Sequence, residues 1–541
     1  MDQHRITFRR ENNPPHDRNN PSQEQTLTVP SGTRLNDAAI QAGYDLRTHC
    51  GGAGTCGKCQ VIAGNHKLLA CQTLVTSDLI VIIPDAALRT NEQNVVVQIA
   101  SESAACRPQR AVSKGFGIAV DIGTTTLAAE LHDFSGKLPT QTASCANPQR
   151  KFGDDVMTRI QKVMENPAAL TAMQKLIVGA INQMTAELTA QSGIVPEDVS
   201  RMVVAGNTVM QSLFFGIDPT PLGGYPFRAP AETFPARHGS EIGLTMSAGA
   251  TVKEGTVEAL PIFGGFVGGD IVAGVLTLPL LLSGDAPRLF LDIGTNGEIV
   301  LAYRGELFTA ATAAGPAFEG AKIECGTIAI PGAIDRVAVN RDAGNGNEGE
   351  AEKIIILTIG NKPAVGICGS GLIDAAAVLL ELGIILPNGR FADKRSYFEL
   401  VSAMESATGK SIVLTQKDIR ELQLAAGAVR AGITLLLDEH GIEPAEIETF
   451  YVSGGFGQSI RLSSARRIGL LPSIPPERFR FCGNTSLAGA RAMLLNPDND
   501  EIVRRIVQKS HHCDLASLPR FQEVFAESMC WEQSAAVTGM P

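Results

Sequence analysis

Four cysteines near the start of the chain have a spacing that suits a metal cluster. Cys50, Cys56, Cys59 and Cys71 follow the pattern C-x5-C-x2-C-x11-C within 22 residues. A cluster of two irons needs four thiolates that converge on one small volume. A zinc knuckle or unliganded thiols are the alternatives, but structural zinc sites usually have two close cysteine pairs, and here only Cys56 and Cys59 form one. The spacing therefore favours a [2Fe–2S] cluster held by the four thiolates.

The cysteine loop is rich in glycine, and it lies within a small predicted α+β unit. Glycines can take the positive φ angles that such a loop needs, and they leave backbone N–H groups to face the sulfurs. The segments RITFRR, TLTVP, CQVIAG and LIVIIP predict strands, and residues 31–42 predict a short helix before the cysteines. This order resembles the β-grasp fold of [2Fe–2S] ferredoxins.

The bulk composition excludes several classes of protein. A net charge of −10 argues against a nucleic-acid binder, which would show a basic face. The polar N-terminus predicts no signal peptide. The apolar stretch at residues 271–282 is too short for a membrane span and predicts a buried helix. Eleven scattered cysteines suit a reducing compartment. We expect a cytoplasmic protein without a membrane or nucleic-acid partner.

Two strand-turn-strand segments repeat the pattern Asp-x-Gly-Thr, at residues 116–130 and 289–301. The backbone N–H groups of such a turn can bind phosphate oxygens, and the carboxylate at its base can hold Mg²⁺. One copy alone is weak, because many tight hairpins carry it, but two copies 171 residues apart are much stronger. We predict that Asp121 and Asp292 anchor Mg²⁺ or an attacking water. The predicted phosphate contacts are Gly123, Thr124, Gly294, Thr295 and Asn296.

A third segment, VSGGFGQ at residues 452–458, follows a predicted strand. Gly454 and Gly455 would let a purine lie flat against the backbone, although a simple strand-to-helix turn is the alternative. With the two turns, the segment resembles the phosphate-1, phosphate-2 and adenosine motifs of the sugar kinase, heat-shock chaperone and actin superfamily, in which two similar lobes close over ATP. The resulting fold class is multidomain α/β, with a β-grasp [2Fe–2S] ferredoxin-like domain followed by a two-lobed actin-like (ribonuclease H-like) ATPase.

The predicted domain boundaries follow changes in composition and in the order of predicted strands and helices along the chain. We expect a ferredoxin-like domain at residues 1–90 and a linker at 91–115. The first actin-like lobe would occupy residues 116–220, and the second lobe, with the adenosine motif, residues 221–541.

An ordered series of motifs extends the resemblance over nearly the whole chain. Beside the cysteine loop and DIGTTT these are NPQ (147–149), GDDVMTRI (153–160), AGNTVM (205–210), GGFVGGD (264–270), DIGTNGE (292–298), GPAFEGAKIECG (315–326), GICGSGLID (366–374), TQKDIRELQLA (415–425), SGGFG (453–457) and GNTSLAGA (483–490). With them the chain resembles the ATP-dependent reductive activators of corrinoid proteins. One departure is Ala426, where such proteins commonly carry a lysine.

The resemblance implies a function, which we state as an expectation. The protein would return an inactive Co(II) corrinoid to Co(I) by one-electron transfer, with a [2Fe–2S] cluster, ATP and Mg²⁺ as cofactors. Its partners would be the corrinoid protein of a methyltransferase system and an external low-potential electron donor. Two alternatives remain: an ATP-driven chaperone that reactivates cobalamin enzymes, and a ferredoxin-type electron carrier on a scaffold that does not hydrolyse ATP. The oligomeric state stays open, with a homodimer as one option.

Several other residues have more than one interpretation. The glycines of residues 366–371 could hold an anion at a helix N-terminus, but helix packing is favoured. Glu319 could be a cap, a partner contact or a catalytic group. His511 and His512 are expected in an exposed turn rather than in a metal site. The remaining cysteines are expected to be small buried hydrophobes: Cys106, Cys145, Cys325, Cys368, Cys482, Cys513 and Cys530.

Overall fold

The structure is a computed structural model of the chain. It describes residues 2–11, 24–44, 46, 54, 57, 59–64, 66–84, 87–88, 115–247, 255–320, 322–340, 354–454, 459–496 and 498–531. Cys50, Cys56, Gly455 and nearly all of the predicted linker lie outside these residues.

The N-terminal unit is a mixed five-stranded sheet with one helix; the helix and four of the strands were predicted, and His66–Leu69 is an additional strand. Its elements are β1 (Gln3–Arg10), β2 (Gln25–Pro30), α1 (Leu35–Gln41), β3 (Gln60–Ala63), β4 (His66–Leu69) and β5 (Leu79–Ile83). The strand order is β2-β1-β5-β3-β4, with β1 and β5 parallel. Alternate residues of the central strands, such as Ile6 and Phe8 of β1, face a core of their own, as the two-residue period of a strand requires.

The first lobe is built on a six-stranded sheet in the order β10-β11-β9-β6-β7-β8. Its strands are β6 (Phe116–Ile122), β7 (Thr126–Asp133), β8 (Gln141–Ala146), β9 (Val199–Gly206), β10 (Arg237–His238) and β11 (Thr256–Ala259). The antiparallel β6, β7 and β8 form a meander, and β9 and then β11 extend it in parallel. The helices are α2 (Val156–Glu165), α3 (Ala168–Gln191), α4 (Thr208–Phe215) and α5 (Gly239–Ile242).

This sheet corrects the predicted end of the first lobe at residue 220. Strand β11 pairs with β9 and so belongs to the first sheet, as does β10 beside it. A long segment separates β9 from β10 and β11, and its composition does not indicate that the chain returns to the same sheet. The first lobe therefore reaches at least Ala259.

The second lobe repeats the plan with the strand order β21-β20-β12-β13-β14-β22. Its sheet consists of β12 (Arg288–Ile293), β13 (Gly297–Tyr303), β14 (Glu306–Thr312), β20 (Thr449–Ser453), β21 (Phe479–Gly483) and β22 (Ser510–His512). Between β14 and β20 lie two small sheets: β15 (Ala333–Val339), β16 (Ile354–Thr358) and β17 (Gly366–Ile367), then β18 (Tyr397–Val401) and β19 (Ile412–Thr415). Helices α7 (Gly369–Glu381), α8 (Gln416–Glu439), α9 (Leu462–Arg467) and α12 (Phe521–Ser528) complete the lobe.

Three helices lie between the two large sheets and pack against residues of both. They are α6 (Gly269–Thr277), α10 (Thr485–Leu495) and α11 (Asn499–Gln508), and their core includes Ala119 and Val203 of the first sheet and Phe290 and Val300 of the second. Helix α6 is the buried helix expected at residues 271–282, but it ends at Thr277, because a residue before proline disfavours helical backbone and Pro279 follows. Within the described residues, no helix combines the length and apolarity that a membrane crossing requires.

Candidate functional site

The two Asp-x-Gly-Thr turns occupy the same place in the two lobes. Asp121 lies near the end of β6 beside Ala205 of the parallel strand β9, and Asp292 lies near the end of β12 beside Ser453 of the parallel strand β20. Gly123 has to be glycine, because a Cβ there would lie 2.4 Å from the Thr126 carbonyl oxygen. Both carboxylates thus stand at the carboxyl ends of central strands, where open α/β sheets bind ligands.

The N-terminus of α10 reaches from the second lobe to the first-lobe carboxylate. Asn484 Nδ2 donates to Asp121 Oδ2 at 2.7 Å, and Ser486 Oγ donates to Oδ1 at 2.7 Å. Asn484 also caps the helix by accepting the N–H of Leu487. Sequence reasoning quoted this segment only as a family motif, although an Asn three residues before an apolar run is an N-cap signal.

Asp292 belongs to a hydrogen-bonded group inside the second lobe. The Ser453 hydroxyl lies 2.9 Å from Asp292 Oδ2 and 2.7 Å from the Thr485 hydroxyl. Burial, followed by the nearby charge of Asp121, raises the pKa of Asp292 to about 6. Burial likewise raises the pKa of Asp121, against its two hydrogen bonds.

Two further carboxylates, which sequence reasoning did not single out, join Asp121 and Asp292. Asp270 opens α6, and Glu298 lies opposite Asp292 on β13. Burial raises the pKa of Asp270 first, followed by the charges of Asp292 and Asp121. Burial and the charges of Asp270 and Asp292 do the same for Glu298, whose side chain also bonds to Asn296. The repulsion between these four carboxylates would be reduced by a hard cation such as Mg²⁺, although within the described residues no three of them are arranged to ligate one ion directly.

A buried arginine holds the backbone of the first Asp-x-Gly-Thr turn. Arg159 Nη2 donates to the Thr124 carbonyl oxygen at 2.7 Å, and Asn147 Nδ2 donates to the Gly123 carbonyl oxygen at 2.8 Å. Asn207 Nδ2 donates to the Thr124 hydroxyl at 3.0 Å. Burial lowers the pKa of Arg159 to about 10. The NPQ, GDDVMTRI and AGNTVM motifs therefore meet around this turn.

Glu319 connects the two turns. Its Oε2 accepts hydrogen bonds from the Thr125 hydroxyl at 2.5 Å and from the Thr295 hydroxyl at 2.8 Å. Thr125 belongs to the first turn and Thr295 to the second, so this carboxylate lies in the cleft between the lobes. This contact with both turns was not among the interpretations of Glu319 as a cap, a partner contact or a catalytic group.

Gly454 has a structural reason to be glycine. Its φ is +112°, and a Cβ there would lie 2.1 Å from the Ile293 carbonyl oxygen. The residue lets β20 end directly beside the second phosphate turn. Its contact with adenosine, like that of Gly455 outside the described residues, stays a prediction.

The glycines of residues 366–371 pack a helix, as favoured. A Cβ on Gly369 would lie 1.8 Å from the Phe318 carbonyl oxygen, and one on Gly371 would lie 2.2 Å from the Ile334 carbonyl oxygen. The N-terminus of α7 thus presses on the backbone that carries Glu319. Ala426 is 1% exposed inside α8, so the departure from the family pattern falls in the core and not on the surface.

The described part of the cysteine loop fits a cluster. Cys59 and Cys71 are 1% and 2% exposed at the two ends of the β3–β4 hairpin, where the Ala70 N–H donates to the Cys59 carbonyl oxygen. Gly54 and Gly57 have φ angles of +79° and +65°, as expected of a loop that wraps a cluster. Two buried thiols and two glycines with left-handed φ are compatible with a cluster to which Cys50 and Cys56 would add the other two thiolates.

The other singled-out residues lie away from this site. Cys368 is buried as expected, but Cys530 is exposed, and the rest of the described set is only partly buried: Cys145, Cys325, Cys482 and Cys513. His511 and His512 are exposed as expected, although they lie in strand β22 and not in a turn. Among the described residues, no group of three or more His, Cys, Asp or Glu has the arrangement of a metal site.

Three family models match the chain in succession. They are described as the 2Fe-2S iron-sulfur cluster binding domain (residues 19–76), the RACo middle region (residues 116–282), and the C-terminal domain of RACo, the ASKHA domain (residues 286–538). The last two meet between residues 282 and 286, which agrees with the extended first lobe.

Two relatives and one solved structure resemble the chain over most of its length. The "Corrinoid activation enzyme RamQ" of Eubacterium limosum is 33% identical over 428 residues, covering 76% of this chain and 69% of that protein. The "[Co(II) methylated amine-specific corrinoid protein] reductase" of Methanosarcina barkeri is 29% identical over 466 residues, covering 79% and 78%. A structure of a "Reductive activator for corrinoid,iron-sulfur protein" has a TM-score of 0.69 at 30% identity and covers 98% of both chains. The chain therefore belongs to the family of the reductive activators of corrinoid proteins.

Proposed function

We propose that this protein uses ATP to reduce the inactive Co(II) form of a corrinoid protein to Co(I) and so supports corrinoid-dependent methyl transfer. The observation that carries the proposal is the meeting of two phosphate turns, four carboxylates and Glu319 in a cleft between lobes, in a chain that also has a [2Fe–2S] domain. Relatives named for corrinoid activation and Co(II) corrinoid reduction support the substrate.

The redox step transfers one electron. When bound, a plant-type [2Fe–2S] cluster supplies one electron at a potential near ~−400 mV. The cobalt gains this electron and passes from Co(II) to Co(I), and an external low-potential donor restores the lost electron. Cys59 and Cys71, with Cys50 and Cys56, would hold the cluster, and the burial of Cys59 and Cys71 would keep water from their sulfurs.

The nucleotide would bind across the two turns. Asp121 and Asp292 would hold Mg²⁺ directly or through water, and Asn484 and Ser486 would keep the Asp121 carboxylate oriented. Because these groups come from both lobes, a nucleotide that binds them favours one arrangement of the lobes over another. This differential binding is the means by which ATP would drive a conformational cycle.

Anaerobic reduction of a Co(II) corrinoid partner tests the proposal. Purified protein, a chemical low-potential reductant, MgATP and the partner should produce the absorbance of Co(I), and omission of ATP should abolish it. Asp292→Asn and Cys59→Ser should each abolish the reaction, whereas Cys530→Ser, at an exposed cysteine outside the loop, should not. Absence of ATP-dependent Co(I) formation with every corrinoid partner of the organism would refute the proposal.

The same experiment separates the alternatives. Reactivation that survives Cys59→Ser would indicate a chaperone, because ejection of damaged cobalamin needs no redox centre. Electron transfer without any binding of MgATP would indicate an electron carrier on a scaffold. The buried Ala426 makes this second comparison worthwhile, since a lysine is common there in the family.

A further inference from the structure

The Glu319 carboxylate occupies the position where the cleft is expected to receive phosphate. Thr295 directly follows the glycine of the second Asp-x-Gly-Thr turn, and Thr125 is the second residue after the glycine of the first; both hydroxyls donate to the same oxygen, Oε2. Hydroxyls at such turns are donors suited to phosphate oxygens. An anion from the chain itself therefore already satisfies one donor from each lobe.

Close packing of the backbone fixes this carboxylate in place. Glu319 ends the short 3-10 turn Pro316–Glu319, and Gly320 follows it with a φ of +79°. A Cβ on Gly320 would lie 2.6 Å from the Thr327 carbonyl oxygen, and Gly369 abuts the Phe318 backbone. With glycines at both contacts, the turn has little room to move, so the Glu319 side chain is presented to the cleft in a defined position.

Burial and two nearby arginines act on the Glu319 carboxyl in opposite directions. Burial raises the pKa of Glu319, against the hydrogen bonds of Thr125 and Thr295 and the charges of Arg150 and Arg159. Arg159 is committed to carbonyl oxygens beneath the first turn, and Arg150 lies 3.0 Å from Asp154. The ionised form of the Glu319 carboxyl would repel a phosphate that enters between the turns, because screening is weak in this partly buried site.

We propose that Glu319 is an internal competitor of the nucleotide phosphates, which links the two lobes through Thr125 and Thr295 until MgATP displaces it. Binding of the phosphates would take over the two hydroxyls and break the Thr125–Glu319 contact between the lobes. The nucleotide would thereby replace the Thr125–Glu319 contact between the lobes with its own contacts to both turns. The inference rests on the proposed function, since it requires a nucleotide in this cleft.

Removal of the charge at position 319 should therefore strengthen MgATP binding. Glu319→Gln keeps the size of the side chain but not its charge, and we expect at least a tenfold lower Kd for a fluorescent ATP analogue, which corresponds to about 1.4 kcal/mol. Glu306→Gln is the matched control, because Glu306 is an exposed glutamate at the start of the preceding strand β14 and pairs with His511. The control should leave the Kd unchanged.

A second variant and a second measurement keep the test independent of folding losses. Glu319→Asp keeps the charge but is one methylene shorter, so it should not reach both hydroxyls and should lower the Kd less than Glu319→Gln does. In the nucleotide-free protein, hydrogen exchange of the 123–126 amides should be faster in both variants than in the wild type. Thermal unfolding of each variant shows whether it is folded.

The outcomes distinguish the inference from the function on which it rests. A wild-type protein that binds MgATP, with a Glu319→Gln variant that binds no more tightly, would overturn the inference alone. Unchanged binding with lost hydrolysis in Glu319→Gln would also overturn it and would indicate a catalytic role. A wild-type protein that binds no nucleotide would overturn both.

Discussion

The ionisable side chains in the cleft lie close together at a free-energy cost that protonation or a bound cation relieves. Asp121, Asp270, Asp292 and Glu298 all have raised pKa values, with burial as the first cause in each. Without a cation, the repulsion and burial of these groups lower the free energy of unfolding. A bound cation would lower this cost, because it would offset the repulsion between the carboxylates.

The pH dependence of thermal stability should show the free-energy cost of burying the Asp292 carboxylate. Its pKa is raised from 3.8 to about 6, so between about pH 4 and pH 6 the folded protein binds more protons than the unfolded chain. The stability of the nucleotide-free protein should consequently fall as pH rises through this window. We expect Asp292→Asn to raise the unfolding midpoint by ~2 °C at pH 7.5 and to leave it unchanged at pH 4, as thermal scans would show.

Asp393 is a suitable control, because its pKa is shifted in the opposite direction to that of Asp292. Hydrogen bonds from Arg395 lower the pKa of this exposed carboxyl to about 2, so its contribution is present at neutral pH and lost only in acid. Asp393→Asn should not raise the midpoint at pH 7.5. An equal rise for both variants, or a rise for Asp292→Asn that is independent of pH, would contradict the explanation.

The support of the first turn by Arg159 can be tested in the same way. Arg159→Lys keeps the charge, but a lysine cannot bond to the Thr124 and Gly153 carbonyl oxygens at once in the manner of the guanidinium. Because each buried acceptor left unpaired costs ~1–3 kcal/mol, we expect a loss of about 2 kcal/mol in urea unfolding, together with weaker MgATP binding. Arg150→Lys, at a surface ion pair, should change stability by less than ~1 kcal/mol. Similar losses for the two variants would refute a specific role of Arg159.

At the scale of elements, the crossing of α6 and α10 connects the lobes. A Cβ on Gly489 of α10 would lie 2.4 Å from the Cα, Cβ and carbonyl oxygen of Ala273, so the two helices touch backbone to backbone. Asn484 and Ser486, which hold Asp121, are at the N-terminus of the same helix. Any shift of α10 is therefore transmitted to the first-lobe carboxylate.

Gly489→Ala should disturb this crossing. The added methyl group has no space, so we expect a loss of about 1–3 kcal/mol in unfolding free energy and a weaker affinity for MgATP. Gly179→Ala is the matched control, because Gly179 is also helical but has no atom within 4 Å of its ideal Cβ. The control should stabilise by ~0.5–1 kcal/mol, since alanine loses less entropy in a helix than glycine. A Gly489→Ala protein as stable as the wild type would show that the helices separate easily.

At the scale of the whole molecule, the ferredoxin-like unit and the two lobes have distinct cores. The N-terminal core is made of residues from Ile6 to Leu88, whereas the lobes share the core of the three central helices. Nucleotide binding and electron transfer are thus placed in units with separate packing.

A truncated chain tests this division. Residues 115–541 should bind MgATP within about threefold of the Kd of the full chain, since the cleft draws no described residue from the N-terminal unit. The same fragment should form no Co(I) from a Co(II) corrinoid partner. The two results come from calorimetry and from anaerobic absorbance. A fragment that folds but binds MgATP more than tenfold more weakly would show that the N-terminal unit contributes to the cleft.

Local patterns were sufficient to predict much of this protein. Short apolar runs predicted four of the five N-terminal strands and the strands of the repeated hairpins, and the spacing of four cysteines and two Asp-x-Gly-Thr turns led to the cluster and nucleotide predictions. The order of motifs gave the family, which the matches at 30% and 33% identity confirm. These features are local in sequence, because turn geometry and ligand spacing depend on a few neighbouring residues.

Tertiary structure alone decided which distant residues meet. The return of Thr256–Ala259 to the first sheet, the approach of Asn484 to Asp121 and the joining of Thr125 to Thr295 by Glu319 all depend on packing between separate segments, which for Asn484 and Asp121 are 363 residues apart. A lone glutamate after a turn carries no local sign of its partners. The sequence thus determined the kinds of chemistry that the chain carries, whereas the fold decided that a carboxylate lies between its phosphate turns, because only packing brings two separate hairpins to the same side chain.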